Sequence, residues 1–256
     1  MKSLLISILC ILGMTSFAQL APVKSGAYHW ADYPAKAGEN RESRNFLDGT
    51  SSGLEYIKIH ATTQNPGAKP RPPHANKEAE ELVIVKEGTM KVTIEGKSAI
   101  LGGGGVVLIM PQQMQTFENI GNSKLTYYAM QYKSKNPVNI ERGIAGGGSM
   151  MLNADSLKFK PSERGGGRAY FDRATAMCER LEMHVTQLNK KGPSHTPHSH
   201  LESEITLVIS GETEMTIDGQ EYKAGAGDFY FVNSGLMHGG RNASDEPCSY
   251  FAFKWK

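Results

Sequence analysis

The chain repeats itself, and this constrains its fold more than any other feature. Residues 123 positions apart keep register without a gap over about fifty positions: Glu81 with Glu204, Gly88 with Gly211, Gly96 with Gly219, Gly104 with Gly227, Met114 with Met237, Asn119 with Asn242 and Ala129 with Ala252. Turn glycines, a carboxylate and strand residues all recur together, so the chain is a tandem duplication. The first copy is expected over residues 46–134 and the second over 168–256. Residues 135–167 are rich in Gly and polar side chains and read as a linker with room for one added strand. Residues 19–45 are expected to form an arm that packs on the two units.

Within each copy, segments such as "GLEYIKIHATTQ", "ELVIVKEGTMKVTIEG", "EITLVISGETEMTIDG" and "CSYFAFKWK" alternate apolar with polar residues over short runs, and Gly, Pro, Asn or Asp punctuates them. That is the pattern of many short strands with tight turns, and sustained helical periodicity is almost absent. The expected fold class is all-β, a sandwich or barrel. "LGGGG" at 101–105 lacks the Lys-Ser/Thr of a phosphate-cradling loop and reads as a turn. Asn242-Ala243-Ser244 matches a glycosylation acceptor pattern, which is short enough to occur by chance.

The first 18 residues, with Lys2, an apolar run over 4–14 and small residues up to Ala18, read as a signal peptide, so the mature protein is expected to be exported, periplasmic or secreted. The run is too short to cross a bilayer, and no other segment is long and apolar enough to do so. Cys10 goes with the leader. A net charge of +2 and the lack of a basic run interleaved with aromatics argue against a nucleic-acid partner. Cys178 and Cys248 remain, either bridged after export or as two buried thiols.

Three of the chain's 8 histidines, His195, His198 and His200, fall within six residues just before a strand. On extended backbone, side chains two apart share a direction, so His198 and His200 can address one point. Glu204 opens the next strand, and His238 follows the turn after "DFYFV". Closing the sheet into a barrel can bring all of them to one interior site. Three imidazoles and a carboxylate suit one divalent transition ion, Mn, Fe, Co, Ni, Cu or Zn, and on an octahedral ion they leave two positions open. His195 is expected as a rim or supporting residue, and Glu202 as a turn residue facing water.

These residues resemble a family. Gly192-x5-His198-x-His200-x3-Glu204-x6-Gly211 matches the first cupin motif at each spacing, and Gly227-x5-Asn233-x-Gly235-x2-His238-x3-Asn242 matches the second, with Asn233 where proline is usual. The chain resembles the bicupins over both repeats. The resemblance implies two tandem jelly-roll β-barrels, with a metal in the second held by His198, His200, Glu204 and His238. The first copy offers His74, Asn76, Glu81 and Gln115 at the matching positions, a set with one imidazole. It is expected to have lost its metal and kept a structural or partner-binding role, or else to hold a harder ion.

Several functions suit such a site: an oxidase, dioxygenase or decarboxylase of a small polar organic substrate; an isomerase, lyase or hydrolase of a sugar, uronate or ureido compound; or a small-ligand binding protein without catalysis. Candidates for a general acid or base are His184, Tyr230, Tyr250 and His195, and Arg180 and Arg241 are candidates for holding a carboxylate. A homodimer is compatible with the sequence.

Overall fold

The computed structural model describes residues 20–256, so the expected leader, residues 1–18, lies outside the described residues. In the first half the short alternating runs form β1 (Gly26–Tyr28), β2 (Lys36–Gly38), β3 (Arg41–Gly49), β4 (Leu54–Gln64), β5 (Glu80–Glu87), β6 (Met90–Ile94), β7 (Lys97–Leu101), β8 (Val106–Ile109), β9 (Gln115–Asn119) and β10 (Leu125–Ser134). One short helix, α1 (Ile140–Ala145), follows. The second half runs through β11 (Met150–Leu152), β12 (Lys160–Ser162), β13 (Gly165–Arg173), β14 (Leu181–Leu188), β15 (Gly192–Pro193), β16 (Ser203–Ser210), β17 (Thr213–Ile217), β18 (Gln220–Ala224), β19 (Phe229–Val232), β20 (His238–Asn242) and β21 (Cys248–Trp255). The all-β expectation holds.

Each half makes a barrel from a large and a small antiparallel sheet. The first has strand order β11-β8-β5-β10-β4-β3-β2 facing β7-β6-β9; the second has β1-β19-β16-β21-β14-β13-β12 facing β15-β20-β17-β18. The recurring glycines close the small-sheet hairpins. Glu95-Gly96 and Asp218-Gly219 both have positive φ at two successive residues, the backbone twist a two-residue hairpin requires.

The segments outside 46–134 and 168–256 belong to the repeat as well. β1 precedes the first barrel yet pairs with β19 of the second, Ala27 opposite Tyr230; β11 precedes the second barrel and pairs with β8 of the first, Met151 opposite Val107. Each barrel thereby covers an edge of the other, which removes an exposed row of backbone donors and acceptors. Asn233, at the position where proline is usual, fastens the crossing arm: its side-chain amide donates to the Val23 carbonyl at 2.9 Å, and its backbone N–H donates to Ser25 Oγ at 3.0 Å. Proline could do neither.

The two barrels are pressed back to back. Along β5, Val83 and Val85 face the interior of their own barrel, while Leu82 and Ile84 face outward and meet Ile205, Leu207, Phe229 and Phe253 of the second. A strand buried on both faces loses its alternation, which is why "LVIV" is continuous. Aromatic side chains of the arm complete this layer, with Tyr28 stacked on Phe229 at 5.0 Å and Trp30 edge-on to Tyr128 at 5.8 Å. Tyr128 donates to the Gly227 carbonyl of the second barrel at 2.6 Å, and Tyr170 donates to the Gly104 carbonyl of the first at 2.7 Å. Glu80, fully buried, reaches from the first barrel to the loop before β14, where it accepts from Thr175 Oγ1 at 2.6 Å and from the backbone N–H groups of Ala176 at 2.9 Å and Met177 at 3.2 Å.

Two expectations are settled here. The disulfide does not form: Cys178 lies in the loop beside the chain end, where the next residue's N–H bonds Lys256, whereas Cys248 opens β21 at its other end, opposite Leu188. Seven strand residues separate the two ends by about 23 Å, far beyond the reach of a bridge. Both are buried free thiols. Asn242 is fully buried and braces a turn, donating to the Glu246 carbonyl at 2.8 Å, as Asn119 does to Ser123 at 2.9 Å. Its recurrence reflects that brace and not a glycan acceptor.

Candidate metal centre

His198 is held by a two-way backbone bridge to His238, with N–H to carbonyl distances of 2.9 and 2.8 Å. His200 follows two residues on, and Glu204 is the second residue of β16. The three imidazoles converge: one ring nitrogen from each lies within 4.8 Å of the others. Glu204 Oε2 lies 3.2 Å from His200 Nε2 and 3.9 Å from His238 Nε2. The three imidazoles therefore meet at one point, with the Glu204 carboxylate beside two of them.

The orientation of the rings is fixed from outside. His238 Nδ1 sits 2.9 Å from the Leu236 carbonyl and His200 Nδ1 sits 3.0 Å from the Glu202 carbonyl. A carbonyl only accepts, so each Nδ1 carries a proton; in the ion-free protein His200 Nε2 shares a second proton with Glu204, and with an ion bound each Nε2 would turn a lone pair toward the centre. His238 Nε2 is buried and has no hydrogen-bond partner. A buried, unsatisfied nitrogen beside two more imidazoles and a carboxylate is what a divalent transition ion would satisfy, so the residues fit such an ion.

The titration shifts follow from the same contacts. The bond to Glu204 raises the pKa of His200, against burial. Burial lowers that of His198, and the neighbouring His195, His238 and His200 lower it further. For Glu204 burial alone would raise the pKa, but the His200 bond and the nearby His238 outweigh it and the net shift is downward. Thr206 Oγ1 adds a bond to Glu204 Oε1 at 3.2 Å, which orients the carboxylate.

The centre lies at the wall of a cavity of about 520 Å³. Of the acid–base candidates, His184 on β14 lines it, with Nδ1 3.5 Å from Glu182 Oε1. His195 lines the cavity, its ring edge-on to His198 at 4.6 Å. Tyr250 lines the cavity and donates to Ser194 Oγ at 2.7 Å. Tyr230 is corrected: its hydroxyl is committed to the Thr213 carbonyl at 2.9 Å, and burial raises its pKa well above the phenol range, so it is a structural brace and not a proton donor at neutral pH. Arg241 lines the cavity, 3.8 Å from Glu214. Arg180 does not; it makes a two-pronged pair with Asp172 at 2.7 Å and a further bond to Glu182. Glu202 is also corrected, since its side chain is only 12% exposed and lies 3.6 Å from Arg180.

Lys254 was missed. It lines the cavity and approaches Glu182 Oε2 at 3.7 Å. The signal was present, because Tyr250, Ala252 and Lys254 share one face of the last strand.

In the first barrel the matching positions are closed by amides. Asn76 Nδ2 donates to Glu81 Oε2 at 2.8 Å, Gln115 Nε2 donates to the same oxygen, and Gln131 Nε2 lies 3.4 Å from Oε1. Fixed N–H donors occupy the carboxylate where the second barrel turns ring nitrogens toward it. Beside them His60 is half-buried with its Nδ1 unpartnered, and burial, then Lys58 and Arg71, lower its pKa to about 4. The unfolded chain takes up this proton near pH 6.5 and the folded chain only near 4, so the stability His60 contributes is present above about 6.5 and lost as the pH falls through about 4, up to roughly 3 kcal/mol. Urea unfolding at neutral pH and near pH 4 should show this loss in the natural protein and a flatter profile in His60→Gln.

Comparison with known proteins adds three findings. The Cupin domain family matches residues 61–130 and 184–254. An uncharacterized protein of Aquifex aeolicus is 36% identical over 53 residues, a match covering 20% of this chain and 44% of that protein's length. Among solved structures, the fold is similar to AerE from Microcystis aeruginosa (TM-score 0.67, 12% identity, 90% of this chain and 99% of that one), to Ylba from E. coli (0.69, 17%, 93% and 95%) and to the formate complex of Lactobacillus farciminis oxalate decarboxylase (0.70, 13%, 91% and 87%).

Proposed function

This chain belongs to the cupin family in two consecutive copies, and from that premise we propose that its second barrel holds one divalent transition ion on His198, His200, Glu204 and His238 and acts on a small anionic organic substrate in an oxidase, dioxygenase or decarboxylase reaction. The observation that carries this reading is the convergence of three ring nitrogens and one carboxylate oxygen on the wall of a cavity that also presents Lys254, Arg241 and His195. When bound, the ion supplies Lewis-acid polarisation of a substrate oxygen and, if redox-active, electron transfer.

The protein's own residues supply the rest. Lys254 and Arg241, held at 3.7 Å from Glu182 and 3.8 Å from Glu214, are the cations of the wall that can turn to orient a substrate carboxylate, and Met215 gives an apolar wall to the substrate's carbon skeleton. His184, beside Glu182, is the group placed to accept or return a proton. Burial of the centre limits water around the reacting atoms. With residues 1–18 acting as an export signal, the substrate is one met outside the cytoplasm.

The test is metal analysis of protein purified without added metal, followed by oxalate, catechols, flavonols, uronates and ureido compounds with oxygen uptake and carbon dioxide release monitored. About one ion per chain and turnover of an acid with either gas signal is expected. His184→Gln should keep the ion and lose roughly 10²–10⁴-fold in rate. Turnover of a uronate or ureido compound without either signal would replace the reading by an isomerase, lyase or hydrolase. Silence over the panel by metal-loaded protein would replace it by a binding protein.

A further inference from the structure

The first barrel has a cavity of its own, about 280 Å³, which the metal chemistry of the second does not use. Its lining includes Arg41, Lys58, Arg71, His60, Glu81 and Gln131. Strand register allows these to be compared, place by place, with the second barrel. Arg41 pairs with Gln64 as Gly165 pairs with Leu188, and Lys58 pairs with Gln131 as Glu182 pairs with Lys254; Arg71 stands three residues before His74 as His195 stands three before His198. Three cations thus occupy positions held by a glycine, a carboxylate and an imidazole in the other barrel.

The balance of charge differs accordingly. In the second barrel Glu182 and Lys254 face each other across two strands at 3.7 Å and offset one another. In the first, Lys58 faces a neutral amide, and its carboxylate contact is Asp48 at 4.0 Å, on a partly exposed side chain. Glu81, the carboxylate in the lining, is already engaged by Asn76, Gln115 and Gln131. His60 contributes a buried nitrogen with no partner, next to two of the cations. The site has one imidazole besides, His74, and its amides fill the place a metal would take. Arg41 donates to the Lys69 carbonyl and Lys58 has its one long contact to Asp48, but no carboxylate pairs with Arg41 or Arg71, and cations so weakly compensated around an unsatisfied nitrogen favour an oxyanion over a cation.

We propose that the cavity of the first barrel is a metal-independent binding site for a small carboxylate-bearing organic molecule, with Arg41, Lys58 and Arg71 holding the carboxylate and His60 and Gln131 contacting the remainder. The volume is that of roughly nine waters at ~30 Å³ each, more than a bare inorganic anion fills. Phe117 and Tyr127 give it an aromatic side suited to carbon. The proposal is independent of the chemistry assigned to the second barrel.

The test is calorimetric titration of the full chain with sodium succinate, with succinamide and inorganic phosphate as separate arms. Succinate should bind at one site that survives His198→Ala/His200→Ala and weakens with added salt, and Arg71→Gln and Lys58→Met should each weaken it about tenfold or more. Both side chains are at least partly exposed, so unchanged melting of these variants is expected and separates lost binding from lost fold. Succinamide should not bind. Binding that disappears with His198 and His200 but ignores Arg71 would place the ligand in the second barrel and overturn the proposal. Phosphate binding as tightly as succinate would overturn it in favour of an inorganic anion site, and the absence of any succinate binding would overturn it outright.

Discussion

Protein carrying alanine at both His198 and His200 should purify folded and without stoichiometric metal. The loss removes two of the three converging imidazoles, and one ring with one carboxylate cannot fix a borderline ion. Removing a single orienting hydrogen bond behind a metal ligand already costs about 10–100-fold in affinity, so loss of two ligands should exceed that range. Elemental analysis beside the natural protein measures it. The buried Glu204 also loses its bond from His200 and keeps that from Thr206, so its carboxyl should titrate at higher pH in the variant. Full metal content in the double variant would place the ion elsewhere.

Glu80→Ala should be strongly destabilising although it lies outside the centre. The carboxylate is fully buried and serves three donors of the 175–177 loop, which no water can replace at that depth. Each stranded donor costs about 1–3 kcal/mol, partly offset by no longer burying a charge, for a net loss of roughly 3–5 kcal/mol. At roughly 2–4 °C per kcal/mol for a chain of this size, melting should fall by about 10 °C. Glu80→Gln keeps one acceptor oxygen and should lie between. Calorimetry decides it: a fall of a degree or two would mean that the loop holds its shape without Glu80.

The halves and their turns were legible in the sequence because glycine is strongly favoured at the hairpin positions of positive φ, and such positions stay in register when all else drifts. The four converging residues were legible from strand parity and spacing. What escaped depended on contacts between distant segments. The continuous apolar run at 82–85 announces burial on both faces, yet nothing in it says that the second face meets the other barrel. β1 and β11 are three residues each and carry too little pattern to name a partner strand. Glu202 looked solvated because a turn position says nothing about an arginine arriving from the segment before β14. Tyr230 failed as a proton donor for the same reason, since its partner Thr213 lies across a sheet. Lys254 was within reach of parity alone.

Strands traded between halves, tyrosines answered by carbonyls on the opposite side and a common core are the marks of an isologous dimer. Here that dimer is written into a single polypeptide. In a true homodimer every substitution is made twice, so arginine at the place of His195 would alter both cavities at once. Joined in one chain, the halves were released from that mirror: one could keep its imidazoles while the other took on amides and cations. The association also became unimolecular, so its unfolding midpoint should be indifferent to dilution, and neither cavity can be lost by dissociation.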